Sequence, residues 1–180
     1  MSGDVGDGAD GADGADGVVV RVQLEGAGAV CAAVLAALPE WFGYPDSVAA
    51  YVAAAEHEPT VVATTAGGQD CGILTLRLHS PYAAEIVVMG VLPQYHRAGI
   101  GRALLEAAES WLLQRDIGFL QVKTLSPRSA DAGYAATRAF YFGCGFRPLE
   151  EMPELWGTDQ PALQMIKTIA PPPTVVRSDV

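Results

Sequence analysis

The residues best placed to do chemistry form one run, His96-Arg97-Ala98-Gly99-Ile100-Gly101-Arg102-Ala103. Ala103, Leu104, Ala107, Ala108, Trp111 and Leu112 recur at helical spacing, so the two glycines stand where a helix begins. The first amides of a helix have no intrahelical acceptor, glycine lets a ligand approach them, and the helix dipole favours negative charge there. The run is a candidate anion cradle, with Arg97 and Arg102 adding charge. A Walker loop would require Gly-Lys-Ser/Thr, whereas Gly101 is followed by Arg102 and Ala103. A dinucleotide fingerprint fits weakly, because Leu104 stands where a third small residue belongs and Thr124 to Pro127 supply no acidic partner.

The elements around the loop must hold it in place. Upstream, Ile86 to Leu92 is an apolar, β-branched run of strand length that Pro93 ends. Val18 to Leu24 reads as a first strand, and Ala27 to Leu38 as a helix stopped by Pro39. Asp46 is placed to cap a second helix from about Ser47 to Glu56. Thr60 to Thr65 and Cys71 to Leu78 flank a glycine-rich connection and should pair antiparallel. After the loop and its helix, Gly118 is the expected helix stop and Phe119 to Leu125 a fifth strand, parallel to the strand before the loop. Tyr134 to Phe142 reads as a last helix, with Phe146 to Leu149 and Ala162 to Ile169 as closing strands. Gly90 fits either a bulge in the central strand or close packing against a helix.

Composition bounds the function. The 180 residues, half of them hydrophobic, suffice for one well-packed domain. Residues 1–17, rich in Gly, Ala and Asp, cannot build a core and read as a disordered tail, as do residues 170–180; residues 18–169 make the domain. The repeated aspartates of the first tail lack the ligand pattern of a calcium loop, so no metal is expected. A net charge of -10 opposes nucleic acid as a partner. No apolar run approaches the roughly 20 residues that span a bilayer, so no membrane is expected. Cys31, Cys71 and Cys144 show no metal spacing and no leader precedes them, which implies reduced thiols in a cytoplasm.

The loop resembles the acyl-CoA signature of the GNAT superfamily of N-acetyltransferases, written Q/R-x-x-G-x-G/A. Gly99 and Gly101 match its glycines, and His96 departs from the Gln/Arg position. Ala139 to Phe146 is similar to the family's FY-x-x-x-GF signature, and the element order is the family's order. The resemblance implies an α/β (α+β) fold: a single GNAT-like domain with a central mixed, splayed β-sheet flanked by helices. Its fourth and fifth strands would part to admit the pantetheine arm of acetyl-CoA, the co-substrate. Met89, Gly90 and Val91 would border that arm, their amides forming a small oxyanion hole. His96, Arg97, Ala98, Gly99, Ile100, Gly101, Arg102 and Ala103 would hold the pyrophosphate. A homodimer is compatible with the resemblance.

An amine with a pKa of about 10.4 attacks a thioester only when neutral, so some group must take its proton. The resemblance assigns that role to Glu85, directly or through water; His57 and His79 are rivals by chemistry alone. It assigns Tyr141 as proton donor to the departing thiolate, whose conjugate acid has a pKa of about 8.5 if cysteine is a fair guide. Cys144 is not expected to carry the acyl group. On the acceptor side the architecture would place Trp41, Phe42 and Tyr44 opposite Glu150, Glu151, Glu154 and Trp156. Such an acidic, aromatic pocket suits a cationic small molecule or a lysine side chain, while an ordinary solvated loop accounts for the same residues. The expected function is N-acetyl transfer to an amine; the alternative is a non-catalytic acyl-CoA-binding regulatory module.

Overall fold

Strands arise from the β-branched runs and helices from the runs rich in alanine and leucine, in the expected order. The computed structural model describes residues 17–129, 133–157 and 159–169; the two stretches read as tails lie outside these apart from Gly17. β1 (Val18–Gln23) is followed by α1 (Gly28–Ala36) and α2 (Pro45–His57), then by β2 (Thr60–Thr65), β3 (Asp70–Leu78) and β4 (Ala83–Val91). A 3-10 turn, Pro93–Tyr95, leads to α3 (Ile100–Leu113) and β5 (Phe119–Leu125). α4 (Gly133–Gly143), β6 (Arg147–Met152) and β7 (Ala162–Thr168) complete the order.

Several boundaries differ from expectation: α1 ends at Ala36 rather than Leu38, β4 begins at Ala83 rather than Ile86, β6 ends at Met152 rather than Leu149, and two helix ends use residues other than those expected. α2 begins at Pro45, with Tyr44 at the cap and Asp46 inside the first turn; a proline loses nothing at the first helical position, where its missing N–H would be unpaired anyway. α3 stops before Gly118: Asp116 adopts a left-handed conformation at φ 59°, and the Ile117 amide returns to the Leu112 carbonyl. Short polar side chains tolerate that conformation better than most.

The seven strands form one mixed sheet in the order β1-β2-β3-β4-β5-β7-β6. α1 packs on β3 and β4, and α2 on β4, while α3 crosses β1 to β4 and α4 meets β5. The faces follow from packing: a Cβ on Gly72 would meet Leu104 and Ile100 of α3, and one on Gly90 would meet Val34 and Leu35 of α1 and Leu38 just beyond it. Gly90 pairs regularly with Ile73, so close helix packing is its role, and the sheet irregularity lies three residues earlier. There Thr75 pairs with Val88 but Leu76 with Ile86, leaving Val87 as an extra residue on β4. One extra residue reverses the alternation of a strand. Ile73, Thr75 and Arg77 share a face of β3, and their partners Gly90, Val88 and Glu85 therefore share the face covered by α1 and α2.

β4 and β5 run parallel from Ala83 opposite Phe119 to Ile86 opposite Val122, and there their pairing ends. Beyond that point, among the described residues, β5 is paired only with β7, and β4 only with β3. The strands part on the side of the sheet end that faces the loop before α3. Filling the space at Gly90 should show its role: Gly90→Val places its Cβ 3.0 Å from Leu38 Cδ1 and 3.2 Å from Val34 Cγ1. Urea unfolding is expected to show a loss of about 1–3 kcal/mol. Gly143→Ala, with nothing within 4 Å of the new Cβ, should be neutral or stabilising by up to about 1 kcal/mol.

Candidate active site

The loop before α3 has the geometry of an anion cradle. Arg97 and Gly99 both take left-handed conformations, at φ 66° and 80°. For a non-glycine residue such as Arg97 this is a strained state, of the kind that clusters at ligand sites. Gly99 caps α3 with no side-chain help, and the Ala103 amide is the first to find its helical acceptor, the Gly99 carbonyl at 3.0 Å. Among the described residues, none accepts a hydrogen bond from the amides of Arg97, Gly99, Ile100, Gly101 or Arg102. Gly99 is exposed with open space around its missing side chain, and Arg97 and Arg102 are exposed beside it. Gly101 serves differently: a Cβ there would lie 3.2 Å from Met89 Cε and 3.3 Å from the Phe140 ring, so its smallness lets α3 pack behind the loop.

His96 turns away from the cradle. Its Nε2 donates to the Val91 carbonyl at 2.7 Å, at the end of β4, and its ring meets Trp41 edge-on at 6.1 Å. The Tyr134 hydroxyl, at the start of α4, donates to the Trp41 carbonyl at 3.2 Å. The α1–α2 connection, the loop before α3 and the start of α4 thus meet where β4 and β5 have parted. Ala98 and Ala103 are half-buried supports of the loop.

Glu85 lies on the α1/α2 face beside the last β4–β5 pairs and has no free carboxylate oxygen. Oε1 accepts from Lys123 Nζ of β5 and Oε2 from His79 Nε2, each at 2.6 Å. Burial alone would raise its pKa, but the hydrogen bonds and charges of Lys123 and His79 outweigh burial and hold it below the ordinary value. Tyr51 of α2 faces it: burial first, and then the Glu85 charge, push the Tyr51 phenol up. Tyr51 in turn meets the Phe42 ring at 5.9 Å.

Tyr141 is buried between Phe140 and Phe146, each ring 5.3 Å away in an edge-to-face arrangement. Burial, reinforced by Cys144 and Tyr134, pushes its phenol well above the ordinary value, so it remains protonated. Cys144 is buried too, and burial raises its thiol despite nearby Arg102 and Lys167, which leaves it a poor nucleophile. All three cysteines are free.

The two expected acceptor walls approach one another, since Gln160 Nε2 donates to the Tyr44 hydroxyl. Trp41 and Phe42 are partly buried against the core, while Tyr44, Glu150, Glu154 and Trp156 are exposed. Glu151 is turned to structural work: it accepts from the buried Ser126 hydroxyl and lies 3.8 Å from Arg128. Sequence reasoning passed over Lys123, Tyr51, Tyr134 and Arg138, whose guanidinium donates to the Leu125 carbonyl at 2.9 Å. Only Lys123 carried a signal: a lysine inside a central strand requires a buried carboxylate nearby. Among the described residues no cluster of three or more His, Cys, Asp or Glu could hold a metal, and no helix is long and apolar enough to cross a membrane.

A mixed sheet parting beside an open helix N-terminus agrees with the fold that the resemblance implies, and sequence comparison shows the family. The family model described as an acetyltransferase (GNAT) domain matches residues 50–148, more than half of the 180 residues; the chain belongs to that family of acetyltransferases. Among solved structures, a protein assigned to the GNAT family from Desulfovibrio desulfuricans is similar at 20% identity and TM-score 0.68, covering 85% of this chain and 99% of its own. The ribosomal-protein-S18-alanine N-acetyltransferase of Escherichia coli is similar at 21% identity and TM-score 0.65, covering 85% of this chain and 96% of its own. An aminoglycoside 6'-N-acetyltransferase complexed with coenzyme A gives 18%, 0.65, 85% and 99%. At these identities the likeness concerns the fold. No curated protein matches the chain by sequence.

The Glu85 cluster has a consequence for stability. Because its folded pKa lies below the ordinary 4.5, its contribution is fully present above the unfolded value and is lost as pH falls through the folded one. The difference in unfolding free energy between the wild type and Glu85→Gln is therefore expected to shrink on acidification below about pH 4.5, as measured by urea titrations at stepped pH.

Proposed function

We propose that the protein transfers the acetyl group of acetyl-CoA directly to a primary amine, on a cationic small molecule or a lysine side chain. The observation that carries this reading is a coincidence of two features: β4 and β5 part where the unpaired amides of α3 begin. The amides of Gly99 to Arg102 would hold the pyrophosphate, with Arg97 and Arg102 adding charge. The parted strands would take the pantetheine arm, and the backbone of Met89 to Val91 would polarise the acetyl carbonyl. His96 and Val91 are engaged with each other, so they would act through that contact or after releasing it. Bound acetyl-CoA supplies an activated acetyl group with a thiol leaving group.

The chain's own residues would manage the protons. As the acceptor nitrogen bonds to the acetyl carbon, its proton passes to the centre built on Glu85; as the carbon–sulfur bond breaks, Tyr141 gives its proton to sulfur. Trp41, Phe42, Tyr44 and Trp156 offer aromatic surface to a cation, and Glu150, Glu151 and Glu154 negative charge. Glu151 is already partnered, so Glu150 and Glu154 would contribute most to attraction.

A screen of amines that follows CoA thiol release tests the reading. Dicationic amines are expected to outperform neutral arylamines, with a Michaelis constant that rises with salt. Tyr141→Phe should keep CoA affinity in calorimetry while kcat falls about 100-fold or more, because the ring still packs and only the proton is gone. Tight CoA binding without turnover across the panel would favour a binding module instead.

A further inference from the structure

We infer that the imidazole of His79 is the group that takes the acceptor's proton, with Glu85 as the positioning residue that holds it through Oε2 and Lys123 as the cation bound to the other oxygen, Oε1. The inference rests on the acyl-transfer reading above and specifies its proton-accepting atom.

Both Glu85 oxygens are committed at 2.6 Å, to Lys123 Nζ and His79 Nε2, and the side chain is only 13% exposed. A carboxylate in that state is a weak base, and its two partners hold its acidity high. His79 differs on each count. Its side chain is 39% exposed, and no described residue takes its Nδ1. Because a carboxylate oxygen can only accept, Nε2 carries the proton of the shared hydrogen bond, and in the neutral ring Nδ1 then carries the lone pair. Imidazoles are matched to proton transfer near neutral pH in a way that a paired carboxylate is not.

The backbone that carries the ring is also held. The His79 amide donates to the Ala83 carbonyl at 3.0 Å, and the Ser80 hydroxyl accepts from the amides of Tyr82 and Ala83 at 3.2 Å each. This connection fixes His79 beside the start of β4, on the side of Glu85 opposite Lys123. The other ionisable groups around the cluster are Tyr51 of α2 and Arg77 of β3, whose guanidinium pairs with Glu58 at 2.8 Å. None of them supplies a second neutral base. The step balances: the acceptor's N–H proton moves to Nδ1 as the nitrogen–carbon bond forms, the carbon–sulfur bond breaks, and sulfur takes the Tyr141 proton. The imidazolium, stabilised by ionised Glu85, then releases its proton to water, and Tyr141 regains one from solvent.

Chemical rescue tests this on the full chain, using the best amine from the thiol-release screen. His79→Gly should bind CoA as the wild type does by calorimetry, with kcat lowered about 100-fold or more. Added imidazole should restore turnover saturably, and more basic substituted imidazoles should restore it further at equal free-base concentration. His79→Gln, which keeps a donor towards Glu85 without a basic nitrogen, should stay impaired. Wild-type kcat in His79→Gln would overturn the inference, as would a His79→Gly protein that binds CoA normally yet gains nothing from imidazole. A wild-type protein that releases no thiol with any amine would overturn the acyl-transfer reading and this inference with it.

Discussion

Backbone groups left without partners are the constraint on which the rest of this structure depends. Buried or half-buried amides and carbonyls are costly unless something pairs with them. Here two sets are unpaired by the strands and helices at one place: the edge of β4 after Ile86, and the first amides of α3. The chain partly meets the need itself, since His96 donates to the Val91 carbonyl. Everything nearby keeps this arrangement open and rigid. Gly99 and Arg97 adopt left-handed conformations to turn the amides outward, Gly101 lets α3 lie against Met89 and Phe140, and Gly90 lets α1 lie against β4. A ligand held by these amides, as proposed, would need this rigidity, because the donors must be aimed before it arrives.

The second constraint is a charge inside the sheet. Val87 is an extra residue in β4, and its insertion turns Glu85 onto the α1/α2 face rather than the α3 face. On that face Lys123 and His79 close on the carboxylate, and Tyr51 overlooks it. A carboxylate bound on both oxygens is a better anchor than a base. Removing either partner would leave charge that the surroundings cannot replace, which is why such clusters specify geometry more than they add stability.

The sequence made the element order and the glycine turn before α3 legible because each rests on local rules. β-Branched runs, helical periodicity and glycine placement are read within a few residues, and the strands Thr60–Thr65 and Phe119–Leu125 lie where they were expected. Chain ends of helices were less legible: Pro45 and Asp116 do the work expected of Asp46 and Gly118, since several residue types can satisfy the same terminal geometry. The partners of Glu85 were illegible because they depend on register. Lys123 reaches Glu85 only because the parallel pairing sets Glu85 opposite Gln121, and a single bulge decides which face both occupy. Glu151 shows the same limit, for nothing local indicates that it bonds Ser126. Gly99 and Gly101 both present unpaired amides among the described residues, as their spacing suggested, and the packing of Gly101 against Met89 and Phe140 is the part that no local rule indicated.

Hydrogen–deuterium exchange with and without CoA reads these backbone amides themselves. The amides of Gly99 to Arg102, which no described residue accepts, should exchange fast in the free protein and become strongly protected on CoA binding. Protection should extend along β4 from Val87 to Val91, where β5 provides no partner. Saturating CoA that leaves Gly99 to Arg102 as fast as in the free protein, or protects a different surface, would contradict the account.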